Sequence, residues 1–370
     1  MKANTMGKLK NIPDNADALQ LKPLAFAVTA LVILAIVLGA VPQYIAKKQN
    51  PAIGKNFRLA YDLRDDYIGY RHIAKAVCEK HPAVFVGDSV VWGMYVGNAD
   101  TIPALLNRKA GREEFGNLAV DGLHPVAMET LVKEYGGYIR NKRVYLYWNP
   151  LWMNSPLYDL SGDGEFSINH PRLLPQFDPR MKSYRASLGD RLGAALDRLF
   201  DYRAYLHHCR VAFLGNDDFK TFIAKYPDEN LFKKLSFTWD PAEKKKNANS
   251  KISWDKAGIA KQDWPFVALD KSRQWRSFRA VIAALRKRGN DVFVIVGTLN
   301  PYMQTPASLE RYKKLRADAL ADLKSSGAGI IDLPELPSAE YADASHPLAG
   351  GYATLTDFIF NKISHKGIQK

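Results

Sequence analysis

Cysteine is almost missing from this chain of 370 residues, with Cys78 and Cys209 the only two. Two thiols so far apart give neither a disulfide framework nor the paired spacing of a zinc module, and they do not decide a redox compartment. His207-His208-Cys209 offers ligand-type side chains, but neighbours in sequence point in different directions, so it reads as structural and no metal is expected. There is no internal repeat and no low-complexity tract, which excludes solenoids and repetitive arrays. Acidic residues are in deficit, 38 against 52 Lys and Arg, leaving a formal net charge of +14. Such an excess can neutralise phosphates. Here the basic residues are scattered and no nucleic-acid fold signature accompanies them, so no nucleic-acid partner is expected. Anionic lipid, an anionic cell-surface polymer or a generally solvated basic surface accounts for the charge equally well.

Charge is wholly absent from Pro23 to Tyr44, PLAFAVTALVILAIVLGAVPQY. At about 1.5 Å per residue, a helix of this length covers a hydrocarbon core of roughly 30 Å. A transmembrane helix over 23–45 is therefore expected, with Tyr44, Lys47 and Lys48 at the interface. A cleaved signal peptide is the competing reading, but the apolar run is long for one and no small-x-small cleavage site follows. Lys8, Lys10 and Lys22 precede the span and Lys47, Lys48, Lys55 and Arg58 follow it, so charge does not choose the orientation. Residues 1–22 read as a polar tail and 46–80 as a tether and lead-in helix.

The remainder is patterned as alternating strands and helices. Apolar, β-branched runs predict strands at Ala83–Val86, Phe115–Val120, Val144–Tyr147, Asp291–Gly297 and Gly329–Leu333. Amphipathic stretches at Thr101–Arg108, Pro125–Arg140, Ser272–Arg288 and Ser308–Ser325, and a closing helix after His346, fill the intervals. That order predicts parallel βαβ units with right-handed crossovers. From 151 to 271 the pattern lapses except for a periodic stretch near Tyr184–Tyr205. A gap this long is expected to be a functional insertion or lid. Trp148, Trp152, Trp239, Trp254, Trp264 and Trp275 are candidates for stacking on sugar rings, or simply core fillers.

The first strand ends in Gly87-Asp88-Ser89, which puts Ser89 where ligands bind in an open α/β sheet. Alone the tripeptide reads more simply as an ordinary turn capping a helix. Near the other end, Asp343-Ala344-Ser345-His346 places an acid three residues before a histidine. A serine needs a base to become nucleophilic, and a histidine base needs a carboxylate to fix its tautomer. Two further strand tips carry Gly122 and Asn149. Asp88 and His124 are second-rank pocket residues, His124 reading more simply as a helix-entry residue.

Together these blocks resemble the SGNH, or GDSL, hydrolase superfamily. The first block is similar to Gly87-Asp88-Ser89, the second to Asn117-Leu118-Ala119-Val120-Asp121-Gly122, and the last to Asp343-Ala344-Ser345-His346. The third, usually Gly-x-Asn-Asp, is matched only at Asn149. The resemblance implies a flavodoxin-like three-layer α/β/α fold with a five-stranded parallel sheet, here over 81–365 with an insertion at about 151–271. It implies Ser89 as nucleophile, His346 as base and Asp343 as its orienting acid. It also implies an oxyanion hole of Ser89, Gly122 and Asn149, and no cofactor. With the anchor, it resembles the DltD-like proteins and those of exopolysaccharide O-acetylation. That implies an acyl donor, a polysaccharide or polymer acceptor and an integral-membrane O-acyltransferase partner. The location implied is the bacterial inner membrane, with the catalytic part on the periplasmic side. A simple carboxylesterase or lipase, or a non-catalytic envelope scaffold, are the alternatives.

Overall fold

The computed structural model describes residues 21–61, 66–163, 188–189, 192, 202–215, 217–228, 238–242 and 251–366. Helix α1 (Leu21–Lys48) comes first, followed by α2 (Tyr67–Lys80), capped by Asp66, which accepts from the Gly69 N–H. Five strands then form one sheet: β1 (Ala83–Val86), β2 (Phe115–Asn117), β3 (Arg143–Trp148), β4 (Asp291–Val296) and β5 (Gly329–Asp332). All pairings are parallel and the spatial order is β2-β1-β3-β4-β5. This is the flavodoxin-like order, whose switch point lies where β1 meets β3.

The strands alternate between two cores, as a pleat of period two requires. Val84, Val86, Val144, Leu146, Val292 and Val294 face one cluster with α2, α5 (Pro125–Thr130), α8 (Arg273–Lys287) and α9 (Pro306–Lys324). Phe85, Tyr145, Tyr147, Phe293 and Ile295 face the other, with α3 (Ser89–Trp92), α4 (Ile102–Ala110) and α10 (Ala349–Lys366). Phe85, Tyr145 and Phe293 sit in register on adjacent strands, with ring centroids 4.7 and 5.5 Å apart. The aromatic row ties three strands together on the face nearest Ser89.

The insertion leaves and re-enters the fold at one place. Val267 and Phe266 N–H groups donate to the Met153 and Asn154 carbonyls at 2.9 and 3.0 Å. Buried Asp159 accepts from the Ser272 hydroxyl and from the Arg273 and Gln274 N–H groups, capping α8. With its two ends stitched, the intervening chain does not interrupt the sheet. Within it, α6 (Tyr202–Leu214) packs on α1 and α2, and α7 (Phe219–Lys225) follows. Thr238–Trp239 pairs in parallel with Asn50–Pro51 of the tether. The stretch expected at Tyr184–Tyr205 falls largely outside the described residues.

Several expectations need correction. The helix from Pro125 stops at Thr130, continues as a π turn over Leu131–Tyr135 and ends at the Gly136-Gly137 pair instead of reaching Arg140. Trp148, Trp152, Trp239, Trp254 and Trp275 are all buried and fill cores, so they present no sugar-stacking faces. The sequence leaves the pairing of Cys78 and Cys209 open; both are free thiols. Among the described residues no helix is long and apolar enough to cross a membrane, which leaves the transmembrane expectation for 23–45 unmet there. The described side chains of α1 include large apolar ones open to solvent, with Phe26, Leu31, Ile33 and Ile36 each more than half exposed.

Candidate active site

Ser89 begins α3 directly beyond β1. The chain can turn there because Gly87 lacks a side chain: a Cβ would stand 2.9 Å from both Tyr147 Cβ and Val91 Cγ2. Asp88 caps the short helix by accepting from the Val90 N–H at 3.1 Å. Gly93, at φ +96°, ends it.

His346 arrives from the loop after β5. Its Nε2 lies 2.7 Å from Ser89 Oγ, and its Nδ1 lies 2.8 and 2.9 Å from the two oxygens of Asp343. Asp343 is held in turn: its Oδ1 accepts from the Ser345 and His346 N–H groups, both at 3.0 Å. The loop is pinned at its base, where Ala342 N–H donates to the His346 carbonyl and Asn300 N–H to the Ala344 carbonyl, each at 2.9 Å. Ser89 and the Asp343–His346 pair, 257 residues apart at Ser89 and His346, therefore meet in one hydrogen-bonded line.

The charges favour this arrangement. Burial raises the Asp343 pKa, but the charge and hydrogen bond of His346 and the two loop N–H groups outweigh it and hold the acid at about 2. Burial opposes the imidazolium of His346; Asp343, Asp88 and Asp121 together reverse the sign and raise its pKa above 6.5. An ionised Asp343 can only accept, so the proton of neutral His346 sits on Nδ1. Nε2 is then a free lone pair facing the Ser89 hydroxyl.

Two further loops approach the serine turn: the Val120 N–H donates to the Gly87 carbonyl at 3.1 Å, and the Asn149 side chain reaches Asp88. Gly122 is buried at φ +68°, a left-handed conformation that glycine adopts without cost. Neither the Gly122 nor the Ser89 N–H donates to a backbone acceptor among the described residues. Asn149 is buried, and its Oδ1 accepts from the Leu151 N–H at 3.0 Å. Its Nδ2 donates to Asp88 Oδ2 at 2.7 Å, and Trp152 Nε1 donates to the same oxygen at 3.0 Å. An amide nitrogen has two hydrogens, so this bond fixes the Asn149 side chain while leaving one N–H available. Asp88 is thus a buried clamp between the serine turn and the Asn149 loop. Burial raises its pKa, opposed by the donors from Asn149, Val90 and Trp152.

His124 is fully buried, caps α5 by accepting from the Ala127 N–H at 3.3 Å, and meets the Trp152 ring edge-on at 5.8 Å. It is a helix-entry residue. His208, in the cluster read as structural, is buried with Nδ1 2.7 Å from Asp66 Oδ2, tying α6 to the cap of α2. No group of His, Cys, Asp and Glu among the described residues could hold a metal ion.

Sequence reasoning missed Tyr95. Its hydroxyl donates to Asp343 Oδ2 at 3.2 Å, its ring meets His346 edge-on at 5.5 Å, and Lys251 Nζ stands 5.1 Å from the ring centre. Its backbone is left-handed, at φ +68°. A tyrosine has no intrinsic reason to adopt that conformation, and no local pattern announces it.

No family model and no curated protein matches the chain. Solved structures do match. One is the crystal structure of a Corynascus thermopiles (Myceliophthora fergusii) carbohydrate esterase family 2 enzyme plus carbohydrate binding domain. It is 11% identical with a TM-score of 0.32, covering 77% of this chain and 66% of that one. The chain thus spans slightly under two thirds of that protein's length. A likeness of this size leaves the functional reading to the site's own geometry.

Proposed function

We propose that the chain is a serine esterase or O-acyltransferase of SGNH type that works through an acyl-Ser89 intermediate. The observation that carries this reading is the relay from Asp343 through His346 to Ser89, at 2.8 and 2.7 Å. In the first half-reaction His346 Nε2 takes the hydroxyl proton while Ser89 Oγ bonds to the carbonyl carbon of an ester. The Ser89 and Gly122 N–H groups and the remaining Asn149 N–H receive the oxyanion. Donors fixed in advance stabilise charge that exists only in the transition state, and losing one costs about 10²–10³ in rate. Breaking of the ester C–O bond passes the proton from His346 to the departing alcohol oxygen. In the second half-reaction His346 deprotonates water or an acceptor hydroxyl, which attacks the acyl group and restores Ser89. Asp343 stays ionised throughout.

Within this reading α1 is a membrane anchor and the acceptor is a hydroxyl of a cell-envelope polysaccharide or polymer. An integral-membrane O-acyltransferase supplies the acyl group, and the catalytic part faces the periplasm of a bacterial inner membrane. What supports the anchor is the uncharged sequence from Pro23 to Ala46 and the exposed apolar side chains of α1. What supports the acceptor is the motif resemblance joined to an anchor. The test is turnover of p-nitrophenyl acetate by the purified full chain, with and without an oligosaccharide acceptor. Acetyl transfer that grows with acceptor at the expense of acetate release supports the transferase. Release indifferent to acceptor leaves an esterase, and no turnover by folded protein overturns both. Retention of the chain in membranes after alkaline carbonate extraction supports the anchor; release into the supernatant refutes it.

A further inference from the structure

Remote from Ser89, the junction of α1 and α2 encloses a cavity of about 210 Å³. Liquid water occupies about 30 Å³ per molecule, so it has room for roughly seven. Lys47 stands in the last turn of α1, which ends at Lys48, and Gln49 follows directly. Arg71, Lys75 and Glu79 recur every fourth residue on α2 and so form one stripe of that helix, with His72 beside it. Three cations therefore face one carboxylate. Glu79 meets Lys75 at 3.9 Å in an exposed i,i+4 pair, which binds either side chain only weakly. The Arg71 guanidinium is aimed by the Tyr135 ring, 5.1 Å from its centre, and donates to the Glu134 carbonyl at 3.4 Å. Burial first, and then the charge of His208, lower the His72 pKa to about 4, so this ring is a neutral member of the wall.

Gln49 is the decisive residue. It is 1% exposed, yet neither its amide nitrogen nor its amide oxygen has a hydrogen-bond partner. A buried polar group left unpaired costs about 1–3 kcal/mol, and native structures satisfy nearly all of them. The amide brings two donors and an acceptor, whereas Lys47, Arg71 and Lys75 bring donors only. A ligand complementary to all four is an anion rich in acceptor oxygens that also carries a hydroxyl for Gln49 Oε1.

We infer that this cavity binds a phosphate group that bears or adjoins a hydroxyl, either free hydrogen phosphate or the phosphoglycerol headgroup of a lipid. The site is independent of the Ser89 chemistry and of whether α1 enters a bilayer. Isothermal titration of the full-length Ser89→Ala chain in non-ionic detergent tests it without ester turnover. The titrants are inorganic phosphate, dihexanoyl phosphatidylglycerol and, as a zwitterionic control without the hydroxyl, dihexanoyl phosphatidylcholine. Saturable one-to-one binding of phosphate, of phosphatidylglycerol or of both is expected, weakened at least tenfold by Gln49→Leu and by Lys75→Glu. Lys313→Glu, on a distant exposed helix face, leaves it unchanged. Binding of phosphatidylglycerol alone assigns the lipid source, and binding of inorganic phosphate assigns the free ion. The inference is overturned if neither titrant saturates, if phosphatidylcholine binds as well as they do, or if neither substitution weakens binding. Lys75 is exposed, so its variant carries the test should Gln49→Leu fail to fold.

Discussion

Replacing Tyr95 by phenylalanine removes one oxygen and keeps the ring that packs against His346 at 5.5 Å. The lost bond is one of the donors to Asp343; the loop N–H groups of Ser345 and His346 and the His346 ring remain. Hydrogen bonds to charged groups contribute about 1.5–3 kcal/mol, but this one is long at 3.2 Å. Asp343 is also 27% exposed, so water can replace the phenol in part. About 1 kcal/mol is a fair value for the loss, which at ~1.36 kcal/mol per pKa unit amounts to roughly 0.7 unit. Less donation to Asp343 leaves more of its charge for the imidazolium, so the His346 pKa rises further. Because the base must be neutral to act, the acid limb of kcat/KM moves to higher pH by up to about 0.7 unit. Below the limb the variant is up to about fivefold slower than wild type; well above it the two are within about twofold. The assay is the pH dependence of ester turnover, with thermal unfolding to show that the fold is intact. A limb that stays in place or moves to lower pH refutes the role given to the phenol.

Other outcomes follow from the same geometry. In the wild type the acid limb lies above pH 6.5, since the carboxylates around His346 raise its pKa; a limb at or below 6.5 contradicts the electrostatic account. The same shifts give two signs in stability. The contribution of His346 is full below about 6.5 and is lost as pH rises through its folded value, while that of Asp343 is present above 3.8 and is lost as pH falls toward about 2. Chemical denaturation across pH measures both. Asn149→Ala removes the oxyanion donor of the proposed mechanism and one partner of buried Asp88, and should cost about a hundredfold in kcat and roughly 1–3 kcal/mol in stability. A loss of stability with unchanged kcat would make Asn149 purely a clamp. Gly122→Ala, at φ +68°, should lose about 1 kcal/mol and lower kcat without raising KM; kinetics and melting curves read each.

The strands were legible because each is a short apolar run with a turn residue at its end, and the parallel order follows from their alternation with helices. Ser89, Asp343 and His346 were legible for the same local reason: each stands on a turn next to a recognisable element. Asp88 was visible as a cap, but its larger task, receiving Asn149 and Trp152, joins residues 61 and 64 positions away and has no local trace. Tyr95 was invisible because the surrounding fold imposes its left-handed backbone. For the tryptophans the sequence leaves sugar stacking and core filling open, and burial decides for the cores at Trp148, Trp152, Trp239, Trp254 and Trp275. The early end of the Pro125 helix was written in Gly136-Gly137, a breaker that the apolar periodicity of the preceding turns obscured.

The central claim is that Ser89 is a nucleophile activated by His346, and active-site-directed phosphonylation tests it most directly. Intact-mass analysis of the folded chain after treatment with a fluorophosphonate should show one adduct, mapped to Ser89, absent in Ser89→Ala and forming at least a hundredfold more slowly in His346→Ala. A folded wild type that stays unmodified, or an adduct that persists in Ser89→Ala, would contradict the account.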